Sequence, residues 1–228
     1  MKKALIALST LMATVALGAL APAQAADLPA KAYYKAPVVE EWNPWMVRLR
    51  VLGVIPENGG HVDQVPGSSL KTSDQVIPEL DISYFFTKNI AAELVLGVTK
   101  HHVTGDGALA GVDVGKAWLL PPTLTLQYHF TELGAFKPYV GAGVNYTWFF
   151  SQSAGGTTVT NSHLHDSFAP VVQVGFDYMI DKHWGWNVDV KKLWLRPGWD
   201  GTLASGAAIT GKVNLDPWLI GTGITYKF

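Results

Sequence analysis

Beyond residue 44 the chain runs through segment after segment in which apolar and polar residues alternate. The clearest is 123–130, TLTLQYHF, where every even position is apolar and every odd one polar. A period of two sends successive side chains to opposite faces, so each such segment reads as a β-strand with two unlike faces. Extending outward from these segments predicts eight strands, at 45–55, 75–86, 90–100, 117–130, 137–150, 168–179, 184–196 and 213–228. The connections sort into two classes. Those at 87–89, 131–136 and 180–183 are short, whereas those at 56–74, 101–116, 151–167 and 197–212 are long and rich in Gly, Ser and Asp. Long and short strictly alternate. A soluble sandwich has no reason to do this, whereas membrane barrels carry short periplasmic turns and long external loops. The expectation is an all-β fold: an eight-stranded antiparallel transmembrane β-barrel of the outer membrane, with four long external loops, three short periplasmic turns and both termini in the periplasm.

Alternation does not say which face meets lipid. Arg48, Arg50, Asp81, Glu93, Gln127, His129, Asn145, Asp177, Asn187, Asp189, Lys191 and Lys227 all have the parity opposite to the apolar residues of their own strands. A polar interior with paired charges accounts for them better than an exterior so poor in Lys and Glu. Aromatic residues gather at the strand ends. Trp45, Tyr84, Phe86, Phe130, Tyr139, Tyr178, Trp184, Trp186, Tyr226 and Phe228 lie near the short turns, and Trp118, Trp148, Phe150, Phe168, Trp194 and Trp218 near the long loops. Two belts flanking an aliphatic band are what amphipathic rings form at the two bilayer interfaces.

Composition narrows the picture further. There is no cysteine, which excludes thiolate metal sites and cysteine nucleophiles, and only 15% of residues are charged. With a net charge of −1 and no basic run, nothing points to nucleic acid, and no cofactor is implied. Residues 1–25 read as a secretory signal peptide: Lys2 and Lys3, an apolar run, then Ala23, Gln24 and Ala25 as a small-x-small cleavage site. Residues 26–44, with Pro29, Pro37 and Pro44, read as an irregular periplasmic leader before the barrel at 45–228.

Strand parity also divides the lumen. Near the long loops the inward positions are Leu52, Ile77, Val95, Leu119, Phe149, Val171, Leu193 and Leu219, all apolar. Nearer the short turns they are Arg48, Arg50, Asp81, Glu93, His129, Asp177, Asp189 and Lys227, with Lys191 at the transition. Eight strands enclose room for side chains or one small ligand, not a wide aqueous pore. The lumen is therefore expected to be an apolar outer chamber above a charged plug, its acids and bases in comparable numbers. A small hydrophobic solute entering such a chamber would stop at the plug and leave sideways into the membrane. Pro78, Pro121, Pro122, Pro170 and Pro217 interrupt strands near the long loops, each lacking an N–H for the ladder. They either mark gaps in the wall or merely begin and end strands; Pro121 and Pro122 are the candidate lateral opening.

The last strand, LIGTGITYKF at 219–228, resembles the C-terminal signal of outer-membrane barrels, in which a final Phe, here Phe228, is read by the barrel assembly machinery. More specifically, WMVRLRVLGVIP at 45–56, LDISYFFTKNIAAE at 80–93, LLPPTLTLQYHF at 119–130, KPYVGAGVNYTWFF at 137–150, NVDVKK at 187–192 and the segment 215–228 resemble the OmpW family. The stretch before Trp45 departs from that family in being longer and richer in proline. The resemblance implies a narrow eight-stranded barrel associated with passage of small hydrophobic molecules across the outer membrane, with outer-membrane lipids around it.

Other chemistry is sparse. His101 and His102, and His163 with His165, fall in predicted external loops and read as solvated; Asp166 beside the second pair does not complete a known metal-ligand spacing. Ser162, His163, His165, Asp166 and Ser167 supply hydrolase-type groups, so a lipid A-modifying barrel is an alternative, although no nucleophile motif accompanies them. A structural or surface-interaction barrel without transport is a third reading. Gly141 and Gly143, and Gly221 and Gly223, lie inside strands and read as space for opposing lumen side chains, not as nucleotide loops. The sequence leaves oligomeric state open.

Overall fold

The computed structural model describes residues 42–228. The segment 1–25 read as a signal peptide and residues 26–41 of the leader lie outside the described residues. Among the described residues every regular element is a strand. In chain order these are β1 (Trp45–Ile55), β2 (Gly60–Val62), β3 (Ser68–Thr72), β4 (Gln75–Phe85), β5 (Ile90–Gly97), β6 (Thr99–Gly107), β7 (Asp113–Leu120) and β8 (Thr123–His129). They continue with β9 (Phe136–Ala154), β10 (Val159–Leu164), β11 (Ser167–Met179), β12 (Trp184–Leu193), β13 (Gly198–Leu203), β14 (Ala208–Val213) and β15 (Trp218–Lys227).

Eight of them close a ring in the order β1, β4, β5, β8, β9, β11, β12, β15 and back to β1, every pair antiparallel. The all-β, eight-stranded antiparallel barrel expected from the alternation is the fold of this chain. The first and last wall strands meet at the seam, where Leu49 pairs with Ile224 and Phe228 N–H donates to the Trp45 carbonyl at 3.2 Å. Closure leaves the eight-stranded wall without an unpaired edge, the condition for crossing a bilayer with strands. Along β1, Leu49 and Val51 are 60% and 59% exposed whereas Arg48 and Arg50 are buried. So much exposed aliphatic surface is stable against lipid, not water.

The short turns are held by side chains. Asp181 Oδ1 accepts from the N–H groups of His183 (2.8 Å) and Trp184 (2.7 Å), an Asx turn that reverses the chain between β11 and β12.

The long connections between wall strands carry much β-structure of their own. β6 and β7 carry the wall onward beyond β5 and β8, β3 pairs with β6, and β9 runs 19 residues to support β7. β10, β13, β14 and β2 form a second, four-stranded sheet. Val62, Leu70, Val159, Leu164, Trp199, Ile209 and Val213 from these segments pack into one core with the lumen residues Leu119, Phe149, Leu195 and Leu215. Their alternation is short and broken by glycines, so the sequence alone reads as loop, and only their shared burial makes them sheet.

Prolines reshape two of the predicted strands. The run 117–130 is broken between β7 and β8 at Pro121 and Pro122, which cannot donate to a ladder. The last wall strand begins at Trp218, just after Pro217, and Val213 belongs to β14 instead.

Candidate functional site

β1 supplies the centre of the lumen, since its period of two sends both Arg48 and Arg50 inward. Arg48 grips Asp177 at two points, Nε to Oδ1 at 3.0 Å and Nη2 to Oδ2 at 2.6 Å, and reaches Glu93 with Nη1 at 2.5 Å. Arg50 meets Glu79 (2.9 Å), Asp81 (2.5 Å) and Asp189 (3.3 Å). Lys191 bridges Asp189 (2.7 Å) and Glu79 (3.3 Å). Neutral groups complete the network. Gln173 donates to Glu93 (2.9 Å) and Asp189 (2.8 Å), and Tyr139 donates to Asp189 (2.9 Å). Thr225 donates to Asp177 (2.5 Å), and Thr125 to Gln173 (3.1 Å). Every wall strand contributes a member, so the plug ties the barrel across its diameter.

The charges are unequal. Arg48, Arg50 and Lys191 face five carboxylates, those of Glu79, Asp81, Glu93, Asp177 and Asp189, and all eight are at most 2% exposed. Acids outnumber bases here, against the expectation of comparable numbers, because Glu79 joins the network and Lys227 stands outside it. Glu79 shares its parity with Ile77 and Asp81, which is the signal in the sequence that places it inward. Lys227 is only half-buried, its ammonium 4.9 Å from the Phe85 ring centre at a wide mouth on the short-turn side. His129 lies between Phe85 and Tyr139, both ring centroids at 4.8 Å, and bonds Gln127 at 2.9 Å.

Tyr139 corrects the belt assignment: it points inward and is fully buried. Its hydroxyl lies over Gly175, where an added Cβ would come within 2.5 Å of it. Trp45, Tyr84, Phe86, Phe130, Trp184 and Trp186 at the short-turn side, and Trp118, Trp148, Phe168, Trp194 and Trp218 at the long-loop side, are exposed on the outer face.

Above the plug lies a cavity of about 60 Å³. Leu52, Ile77, Val95, Leu119, Leu193 and Leu219 line it, and Glu79 forms part of its lining where it meets the plug. Phe149 and Val171 are also inward and buried, but they do not line the cavity; Phe149 belongs to the core that roofs it. One side is polar, formed by Thr99, His101, Thr123, Asn145 and Thr147. His101 is thus a correction: it is not a solvated loop residue but 4% exposed, with Nδ1 at 2.7 Å from the Ser73 carbonyl oxygen and Nε2 at 3.2 Å from Thr99 Oγ1.

Pro121 also lines the cavity. The flanking pairs Val95–Thr123 and Thr99–Leu119 keep a single register, which sets Gly97 opposite Pro121. On the other side Tyr146 N–H donates to the Pro122 carbonyl at 3.0 Å, and Asn145 Nδ2 takes the Pro121 carbonyl at 3.0 Å. The wall therefore stays in register while the ladder skips two residues. Gly97 has no side chain there, so the barrier between cavity and exterior is thin.

The histidine and serine group at the long-loop end is dispersed. Trp199 Nε1 donates to Ser162 Oγ at 2.8 Å, His165 pairs with Asp200 at 2.8 Å, and Asp166 accepts from Tyr146 Oη (3.0 Å) and the Phe149 N–H (3.0 Å). Ser167 Oγ donates to the Phe168 carbonyl at 3.4 Å. None of these contacts joins a serine to a histidine. Glycines split by role: Gly221 approaches the side chains of Leu52 and Arg50, whereas Gly143 and Gly223 lie against the Leu124 and Leu49 carbonyls, where a Cβ would come within 2.0 Å.

The family model described as the OmpW family matches residues 45–228. An uncharacterized outer-membrane protein, y4mB of Sinorhizobium fredii, is 51% identical over 96% of both chains. The dibenzothiophene metabolism operon protein PahQ of Pseudomonas aeruginosa is 32% identical over 85% of this chain and 92% of its own. Among solved structures, outer membrane protein OprG of Pseudomonas aeruginosa superposes with a TM-score of 0.75 at 28% identity, covering 81% of this chain and 95% of that one. With a matching family model over the whole barrel and relatives that are outer-membrane proteins, the chain belongs to the OmpW family of outer-membrane β-barrels.

Proposed function

We propose that the protein is an outer-membrane channel for small hydrophobic molecules, its long loops outside and both termini in the periplasm. A guest occupies the Leu-rich cavity, stops at the ion-pair plug, and leaves sideways through the wall at Pro121 and Pro122 into the membrane. The observation that carries this reading is the stacking of an apolar cavity directly on a buried network of ion pairs. Removing one partner from a buried ion pair costs about 3–5 kcal/mol, whereas a guest gains about 0.8 kcal/mol per CH₂ group buried. A short apolar guest therefore does not open the plug. The gap beside Gly97 and Pro121 has fewer ladder hydrogen bonds to break. PahQ carries the name of dibenzothiophene metabolism, and dibenzothiophene is a flat molecule of the apolar kind this cavity favours.

The test is uptake of dibenzothiophene by cells carrying Leu119→Gln or Leu219→Gln, with assembly checked by heat-modifiable gel mobility. Uptake should fall severalfold while the barrel still assembles; unchanged uptake in correctly inserted variants overturns the channel. One observation favours a second reading. The apolar core of the long-loop segments roofs the lumen and leaves only about 60 Å³ beneath it, as suits a structural barrel without transport. That reading requires both no uptake above an empty-vector control and no single-channel conductance.

A further inference from the structure

On the outer surface of β6 and β7 two lysines stand together without an acid. Lys100 is opposite Trp118 in the β6–β7 register, its ammonium 5.3 Å from that ring centre. Lys116 is one outward position further along, opposite His102. Lys100 and Lys116 are therefore diagonal cross-strand neighbours, a relation that sets residues about 7–8 Å apart and within reach of one another's long side chains. The other bases on the wall at this end have carboxylate partners: Lys71 with Asp106 (3.3 Å), His102 with Asp113 (2.7 Å) and Lys192 with Glu57 (2.7 Å). Lys116 has none among the described residues.

Both lysines line a surface depression of about 260 Å³ together with Ser73, Gln75, His101 and His102. No carboxylate lines it. Asp113 is engaged by His102, and Asp74 follows Ser73 at the rim. Directly toward the aliphatic band lies an aromatic shelf, Trp118 stacked on Phe150 with centroids 6.4 Å apart and planes at 24°. Aromatic belts sit at the headgroup level of a bilayer. The depression is thus at the height of lipid headgroups, with two repelling ammoniums above and a shelf for acyl chains below.

We propose that this depression binds a phosphate group of a phosphorylated glycolipid of the outer leaflet, held between Lys100 and Lys116 with its acyl chains on Trp118 and Phe150. An anion bridging the two ammoniums removes their mutual repulsion, and the shelf gives a lipid a contact that free phosphate lacks. The assignment rests on the orientation given under Proposed function, long loops outward, but not on transport.

The full chain folded in dodecyl maltoside is titrated by native mass spectrometry with diphosphoryl lipid A, with dephosphorylated lipid A and with inorganic phosphate as competitor. One diphosphoryl lipid A per barrel is expected. Losing two surface cations from an anionic headgroup site should weaken binding about thirtyfold in the Lys100→Gln/Lys116→Gln variant. Lys212→Gln, on the four-stranded sheet, should bind as wild type. Equal binding by the double variant, equal binding of the dephosphorylated lipid, or displacement by millimolar phosphate each overturns the proposal. Labelling of a cysteine placed at Ser205 in intact cells reads orientation separately. Accessible label supports the outer-leaflet assignment; label protected in intact cells and reached only after permeabilisation overturns it, whatever the uptake assay gives.

Discussion

Arg48 and Asp177 are joined by two parallel contacts, Nε to Oδ1 at 3.0 Å and Nη2 to Oδ2 at 2.6 Å, across the lumen between β1 and β11. Two wall strands, β15 and β12, separate β1 from β11 around the ring, so the pair is a strut and not a neighbour contact. Bidentate geometry fixes orientation as well as distance, which a lysine would not reproduce. Arg48→Lys should therefore lower the urea midpoint of folded barrel in micelles. Arg48→Ala, which strands Asp177 and Glu93, should lose about 3–5 kcal/mol of stability.

Tyr139 reaches Asp189 only because residue 175 is glycine. An alanine there would meet the phenol oxygen at 2.5 Å, forcing the ring away from Asp189. Gly175→Ala should cost about 1–3 kcal/mol in the same unfolding assay. In a Tyr139→Ala background, where the ring is gone and the Val188 carbonyl at 2.7 Å is what the methyl still meets, its effect should be smaller. Equal effects in the two backgrounds would show that the ring contact does not constrain residue 175.

The Pro121–Pro122 interruption makes opposing demands on stability and passage. Replacing both with alanine restores two donors to the ladder without changing a register already kept on both sides. The double variant should resist thermal unfolding better than the parent while taking up less dibenzothiophene. A stabilised barrel with unchanged uptake would place the exit elsewhere.

At the long-loop side, Glu57 Oε1 accepts from Trp218 Nε1 at 2.9 Å and meets Lys192 Nζ at 2.7 Å. Hydrogen bonds from Lys192 and Trp218 hold this exposed carboxyl below its ordinary value. A depressed acid stabilises the folded state above its unfolded pKa, about 4.3 for Glu, and that contribution disappears as pH falls through the folded pKa. Trp218 fluorescence should report release of this anchor only below the usual glutamate range. Glu57→Gln should give a flat profile over the same window.

Much of the barrel was legible because its physics is local and periodic. The alternation in β8, Thr123 to His129, assigns an inward and an outward face to each residue, and the same parity gathered Arg48, Asp81, Glu93, Asp177 and Asp189 on one side before any strand pairing was known. Parity does not state partners. That Arg48 takes Asp177 and Glu93 while Arg50 takes Glu79, Asp81 and Asp189 depends on registers between strands far apart in sequence. Aromatic character misleads where parity does not: Tyr139 shares the inward parity of Asn145 and Phe149, yet its ring suggested the belt.

The long segments mark the boundary most clearly. Leu70, Trp199, Ile209 and Val213 give no periodic signal long enough to read, yet they are buried together over the lumen. The number of wall strands, their order and the inward or outward face of each residue follow from a two-residue period that any strand must obey, so the sequence by itself determined them. The roof, the size of the cavity and the partners within the plug come from contacts between different strands, some of them more than a hundred positions apart, such as Arg48 with Asp177 and Lys191 with Glu79. Only the tertiary structure decides those, because burial there is shared between segments and is encoded in none of them alone.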